Sequence, residues 1–320
     1  MSEIVVRRLP AGFGSSASAA DRKAGQRLAR KFLAVDDGAR PQAFWKETGK
    51  RFLENKVGVG ATLFILLLAG AALIAPWIAP HDPLTGVATD RLQAPFSSGA
   101  HILGTDEQGR DLLSRIMYGG RLTLIAAFVP TIAATVIGTA IGITATMMGG
   151  WVQTVLMRGM DMLYAFPAVL LAIAVSASLG PSLANALIAT SIVSVPPVAR
   201  VAESATRRVV TKEYVEAAKL SGASPVKVAT SQIIPNVLND IVVYASGLVG
   251  VSMLIAASLS FLGLGALPPA PEWGFMLNSM RNSISIAMFN VMLPGFMIFL
   301  TSVCFNLASD ALREATDSRL

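Results

Sequence analysis

Charge is scarce in this chain. Asp, Glu, Lys and Arg make up 14% of its 320 residues, against about 25% in soluble domains. That excludes an ordinary soluble globular protein and, with a mean hydropathy of +0.59, points to membrane-spanning helices. Cysteine is scarcer still: Cys304 stands alone in an apolar run, so no intrachain disulfide can form. The only histidines, His81 and His101, lie in a polar loop with no Cys/His cluster, and a metal site needs three or four convergent ligands. No metal is expected. A GxxxxGK[ST] phosphate loop is absent, which excludes unaided ATP hydrolysis. No catalytic constellation is present either, so the chain is expected to be no enzyme and to hold no cofactor.

What is present is a series of long apolar runs, each measured against the roughly 20 residues of a membrane span. Val57–Pro80 carries no charge and follows too many polar residues to be a cleaved leader. Leu122–Val152 is a second run. Met162–Ala199 is uncharged for 38 residues, and Gly180-Pro181 divides it into spans over 162–179 and 183–199. Ile241–Pro271 supplies a fifth span, ending near Gly265, and Asn282–Ser309 a sixth. The reading is an all-α membrane protein of six transmembrane helices. In domain terms, a segment 1–56 precedes a membrane domain 57–320.

Basic residues are unevenly spread. Residues 1–56 carry 12 Lys and Arg and the segment 200–240 six, whereas the loop 81–121 has four, offset by five acidic residues. The positive-inside rule places both termini and the 204–237 connection in the cytoplasm and the 81–121 loop outside. This clustering, rather than nucleic-acid binding, accounts for the net charge of +6. Residues 1–20, rich in Gly, Ser and Ala, are predicted to be disordered. "DRKAGQRLARKFLAV" and "RPQAFWKETGKRFLENK" read as basic amphipathic helices, the second with Phe44, Trp45 and Phe52 able to lie on membrane lipid.

Between two apolar runs stands a polar stretch, "EYVEAAKLSGASPVKVATSQIIPN", residues 213–236. Thr211 is expected to cap a helix with Glu213 in its first turn, and Gly222 to end it in the left-handed conformation. Ser224 then caps a second helix with Pro225 at its first position, and Pro235 ends or bends it. The small residues Ala217, Ala218 and Gly222 admit close approach by another protein, with Glu213, Glu216, Lys219 and Lys227 offering charged contacts. Both ends run into membrane spans, which keeps duplex DNA away. A protein-docking element is the better reading than a plain connector.

"EAAKLSG" followed by ten residues and "IIP" resembles the EAA motif of ABC importer permeases. The resemblance implies a coupling helix that docks in a groove of the ATP-binding subunit. It carries over to Glu216, Ala217, Ala218 and Gly222, with Ile234 and Pro235 closing the motif. Neighbours Glu213, Ala223 and Ser224 belong to the same hairpin. The usual Leu-Pro ending is Ile-Pro here. "HILGTDEQGRDLLSRIMYGGRLTL" (101–124), "SFLGLGALPPAPEWGFML" (260–277) and the tail "DALREATDSRL" are similar to the C-type subunit of the dipeptide, oligopeptide and nickel group, with Ser318 replacing a proline. The similarity covers about residues 50–320. It implies a type I importer permease fold in the bacterial inner membrane, with four kinds of partner. These are a homologous second permease, two ATP-binding subunits, an extracytoplasmic solute-binding protein and membrane lipid. The resemblance implies half of an import pathway for di- or oligopeptides; nickel chelates and other small solutes share this permease type and are the alternative. One departure stands out: relatives often carry a glutamate where this chain has Ala256.

Lesser features complete the reading. Arg158 and Asp161 are expected to pair at a helix end, and Asp111 with Arg115 on a helix surface. Phe166-Pro167 and Pro196-Pro197 are expected kink sites. The thirteen methionines are ordinary helix-packing residues. Phe166, Ser246, Ser252 and Met253 are candidate pathway residues on composition. No ionisable residue stands near the centre of a span, which argues against an ion-coupled secondary transporter or a channel.

Overall fold

The structure is a computed structural model that describes residues 41–97 and 99–316. The readings for residues 1–20, for the first basic helix and for Ser318 fall outside the described residues. The described residues fall into two units, divided between Arg51 and Phe52. In the first unit, residues 41–51 form most of α1 (Pro41–Glu54), with Glu47 and Arg51 paired one turn apart at 3.0 Å.

Every regular element among the described residues of the second unit is a helix. α2 (Lys56–Ile78) is followed by a long loop containing a short 3-10 turn, then by α3 (Leu112–Met148). Glycines 149 and 150, both at positive φ, turn the chain into α4 (Gly150–Tyr164), and α5 (Ala168–Leu179) follows at a bend of 91°. α6 (Leu183–Val210) leads to the hairpin helices α7 (Glu213–Leu220) and α8 (Pro225–Val228). A π-helical turn over Ala229–Ile233 joins α8 to α9 (Ile234–Phe261), after which come α10 (Trp273–Met280) and α11 (Met288–Thr316).

Five helical runs are long and apolar enough to cross a membrane, and the bent pair α4–α5 makes six if it is counted as one span. The third span differs from its expected form. α5 has 12 residues, about 18 Å at 1.5 Å per residue, and Pro167 breaks the 162–179 run because it cannot continue a helix from Ala165. α3 begins ten residues before the expected Leu122, and α6 continues eleven residues past Ala199. Each carries charged residues that find partners on other segments instead of ending the helix, as Arg121 does on the Ala72 and Leu73 carbonyls and Arg208 on Asp240.

α3 and α6 run parallel and form the tightest contact in the bundle. A Cβ on Gly138 would meet the Val195 carbonyl at 2.9 Å, and one on Gly142 the Ala199 carbonyl at 2.5 Å, so both positions require glycine. α9 packs on α3, α6 and α11, and α2 on α3 and α11. Two ends of the bundle follow from this order. One carries the α3–α4 turn, the hairpin, Asn55 and Glu314, the last two joined at 2.8 Å. The other carries the loop 81–111, the α5–α6 turn and α10. Leu66, Leu67, Leu73, Trp77, Ile132 and Val136 stand exposed on the outer faces, as lipid-facing positions do.

At the loop end the main core gathers Leu112, Ile116, Met253, Trp273, Met276 and Ile298. Trp273 is fully buried and its indole N–H donates to the Ile116 carbonyl at 3.0 Å. Glu272 caps α10, accepting from the N–H groups of Gly274 and Phe275 at 3.0 and 2.8 Å. Burial pushes its carboxyl above the ordinary range, against the pull of those donors. Ala256 is itself buried.

Two expected ion pairs are replaced by others. Asp111 does not pair with Arg115 on a surface; both are buried. Asp111 caps α3, accepting from the Ser114 N–H at 2.8 Å. Arg115 reaches instead to Asp106 (3.3 Å) and to the Pro83 carbonyl (2.7 Å), because a buried guanidinium must find a carboxylate and carbonyls inside the fold. Likewise Asp161 pairs with Arg200 of α6 rather than with Arg158. α4 packs on α6, which brings Asp161 to Arg200.

Candidate functional site: the hairpin and the cavity beneath it

The hairpin is built from capping chemistry on a hydrophobic base. α6 ends at Thr211, whose hydroxyl leans back toward the Arg208 carbonyl at 3.4 Å. It therefore does not cap α7, as expected of it; Lys212 holds that position with no side-chain bond. The other end is as read. Gly222 has φ +78°, its N–H donates to Lys219 O (3.0 Å), and the Ala223 N–H donates to Ala218 O (3.1 Å). Those two bonds are the Schellman motif, which favours glycine at the left-handed position. Ser224 caps α8 by accepting from the Lys227 N–H at 3.3 Å, with Pro225 at the first helical position.

Pro235 neither ends the helix nor breaks it. Residues 225–261 form one run, and the π turn over Ala229–Ile233 comes just before the proline. Such a turn rearranges the hydrogen bonding where the missing Pro235 N–H would otherwise leave a carbonyl without its partner.

One face of this hairpin is keyed into the bundle. Val215, Val228 and Ile233 are buried in a cluster with Ile143 of α3, Ala202 and Ala205 of α6, and Val237 and Ile241 of α9. Polar contacts brace its base. Arg208 pairs with Asp240 at 2.6 Å, Arg207 with Glu203 at 2.7 Å, and Gln153 with Glu203 at 2.8 Å. A push on the hairpin is thus delivered to α3, α6 and α9 together.

The other face is open. Glu213, Glu216, Ala217, Gly222 and Ser224 are exposed, Ala218 and Ala223 partly so, and Ile234 and Pro235 are exposed further along. Three large apolar side chains join them: Leu220 is 84% exposed, Val226 72% and Tyr214 44%. Sequence reading passed over these three, because apolar residues in a helix are first assigned to its buried face. The signal that separates them is register. Val215, on the buried face, sits one and five residues from Tyr214 and Leu220, off the three- and four-residue spacing of a shared face.

The four candidate pathway residues do not come together. Phe166 is exposed at the α4–α5 bend and lines a cavity of about 570 Å3 with Tyr164, Tyr244, Asn306, Asp310 and Arg313. Ser246 lies beside that cavity, donating to the Val243 carbonyl at 2.7 Å and lying 2.9 Å from Ser309 Oγ. Ser252 and Met253 are fully buried. Ser252 accepts from Thr131 at 3.0 Å and Met253 belongs to the main core, so neither borders the cavity. Their small and flexible side chains serve helix packing here.

A bundle of five or six apolar helices long enough to cross a membrane, with a hairpin packed at one end, has the architecture of an integral membrane domain. Residues 114–320 match the family described as the binding-protein-dependent transport system inner membrane component, and residues 43–95 match the N-terminal TM domain of oligopeptide transport permease C. The chain belongs to this permease family and is a multi-pass protein of the bacterial inner membrane. It is 43% identical over 276 residues to the glutathione transport system permease protein of Pectobacterium atrosepticum, covering 86% of this chain and 91% of that one. It is 39% identical over 279 residues to the di/tripeptide transport system permease protein of Pseudomonas aeruginosa, covering 86% and 92%. A dipeptide transport system permease of Alkalihalophilus pseudofirmus is 40% identical over 276 residues. Among solved structures, an inward-facing MetNI methionine ABC transporter shares the fold at 17% identity and a TM-score of 0.50, over 62% of this chain and 94% of that one.

Proposed function

We propose that this permease forms half of a peptide pathway, paired with a homologous second permease. Two ATP-binding subunits engage the hairpins of the two permeases. The hairpin end of this chain, with both termini, faces the cytoplasm, in keeping with the Lys and Arg bias of residues 1–56 and 200–240. The loop 81–121 then faces outward, toward a solute-binding protein. ATP-driven closure of the partner subunits pulls on residues 212–234, and the bundle moves as a rigid body from the inward-open to the outward-open state. ATP is bound and hydrolysed by the partners.

One observation carries the docking reading. Leu220, Val226 and Tyr214 stand exposed on a polar hairpin whose opposite face is buried in the bundle. Apolar side chains presented this way on a rigid base mark a protein interface. Peptide as the substrate is supported by the relatives, named for glutathione, di/tripeptides and dipeptides. It also suits a cavity of about 570 Å3 with Asp310 and Arg313 in its lining, within the usual size of small-molecule sites and able to meet both charges of a zwitterion.

The test is reconstitution with the partner subunits in proteoliposomes. Uptake of a labelled dipeptide driven by ATP and abolished by Glu216→Lys, with the permease still inserted, supports the reading. Uptake unaffected by that charge reversal contradicts it.

A further inference from the structure

At the bundle end opposite the hairpin, three side chains from separate segments converge. His81 follows α2, His101 lies within the long loop, and Asp111 caps α3. The ligand atoms of all three lie within 4.8 Å of one another. His101 Nδ1 is 3.1 Å from Asp111 Oδ1, and His81 Nδ1 is 3.8 Å from the same oxygen. The two rings lie 4.6 Å apart at 39°. Sequence reading treated these histidines as loop residues without partners; the loop's path brings them together.

The cluster is held from behind. Asp111 Oδ2 is engaged by the Ser114 N–H (2.8 Å) and hydroxyl (2.7 Å), which fixes the carboxylate and leaves Oδ1 turned toward the imidazoles. Ser114 Oγ also accepts from the His81 backbone N–H at 3.1 Å, tying that segment to the start of α3. The far nitrogen of His101, Nε2, faces Asp90 at 4.0 Å. A carboxylate behind a histidine is the arrangement that orients metal-binding imidazoles. Asp111 is 1% exposed and His101 9%, while the His81 side chain is 39% exposed and opens on a cavity of about 590 Å3 lined also by Tyr118 and Pro83.

We propose that His81, His101 and Asp111 bind a divalent transition-metal ion of the zinc class, with a fourth position open to the His81 side. Zinc takes histidine nitrogen and carboxylate oxygen at about 2.0–2.2 Å. A tetrahedral set at that radius puts ligand atoms about 3.3 Å apart, near the 3.1 and 3.8 Å observed here. Calcium and magnesium are disfavoured, since they require six or more oxygen ligands or a retained water shell. The ion would pin the loop to the ends of α2 and α3, and its binding depends on neither the hairpin nor the substrate.

The test is calorimetric titration of the detergent-purified, chelator-treated permease complex with zinc chloride, using magnesium chloride as the control ion. One equivalent of zinc per chain is expected, with no saturable heat from magnesium. His101→Ala is expected to weaken zinc binding beyond the roughly 10- to 100-fold that outer-shell changes produce. His81→Ala, at a half-exposed side chain, should do so with the thermal midpoint retained. Cobalt chloride should give visible ligand-field absorption of a four-coordinate centre, lost in both variants. If the wild type takes up no more zinc than the His81→Ala/His101→Ala double variant, the cluster is a hydrogen-bonded latch only and the proposal falls.

Discussion

Arg208 at the end of α6 donates to Asp240 in the first turns of α9 at 2.6 Å, closing the two stems of the hairpin against each other. Both side chains are about half exposed, so the pair contributes roughly 0–1 kcal/mol. The stems are held chiefly by what lies beside it, the cluster of Val215, Val228, Ile233 and Ile143.

Ile233→Ala should therefore destabilise the membrane domain by about 2–5 kcal/mol, the range for emptying a buried isoleucine site. Arg208→Ala should change stability by less than about 1 kcal/mol. Thermal unfolding of the two variants side by side checks this, and equal effects would show that charge, not packing, anchors the hairpin.

Gly222 separates backbone from docking. A Cβ there meets nothing within 4 Å in the chain itself, yet φ is +78°. Gly222→Ala should cost about 1–2 kcal/mol of local strain, while Gly222→Asn, which tolerates the left-handed region, should cost less. A bulky Gly222→Trp should leave insertion intact and abolish ATP-driven uptake, because the added ring occupies the face offered to the partner. Normal uptake by the tryptophan variant would remove Gly222 from the contact.

Leu220→Asp tests the exposed apolar residues in the same way. At 84% exposure the leucine holds no core, so stability should stay within about 0.5 kcal/mol. Co-purification of the ATP-binding subunit should fall by tenfold or more, as at an interface hot spot worth at least about 1.4 kcal/mol. A pull-down from membranes reads the co-purification and thermal unfolding reads the stability.

Removing Asp106 isolates the loop's internal order. It carries the charge partner of fully buried Arg115 and also accepts from Arg110 Nε at 2.7 Å. Asp106→Ala should destabilise by about 3–5 kcal/mol, the consequence of stranding a buried cation. Melting of the purified variant gives the figure, and a shift below about 1 kcal/mol would mean that water reaches Arg115.

Much of this arrangement was legible in sequence because it is local. Gly222, Ser224 and Pro225 signal their own conformations, and five of the six crossings follow from run length. What escaped was set by contacts distant in the chain. Asp111 and Arg115 stand four residues apart on a helix, the spacing of a surface pair, yet Asp106 and Pro83 claim the arginine inside the fold. Asp161 meets Arg200 of another helix because α4 packs on α6. Ser252 and Met253 are polar and pliable enough to line a path, and only the packing of α9 on α3 and α11 shows them enclosed.

The central claim is that the open face of residues 213–226 is covered by ATP-binding subunits on the cytoplasmic side. Its most direct test is labelling of Leu220→Cys with a membrane-impermeant thiol reagent, in a chain whose buried Cys304 is replaced by serine. The account predicts rapid labelling from the cytoplasmic side in the permease alone, strong protection when the ATP-binding subunits are assembled, and no labelling from outside. Ala270→Cys in the same background should label only from outside. Equal labelling of Leu220→Cys with and without the ATP-binding subunits, or labelling from outside, would contradict it.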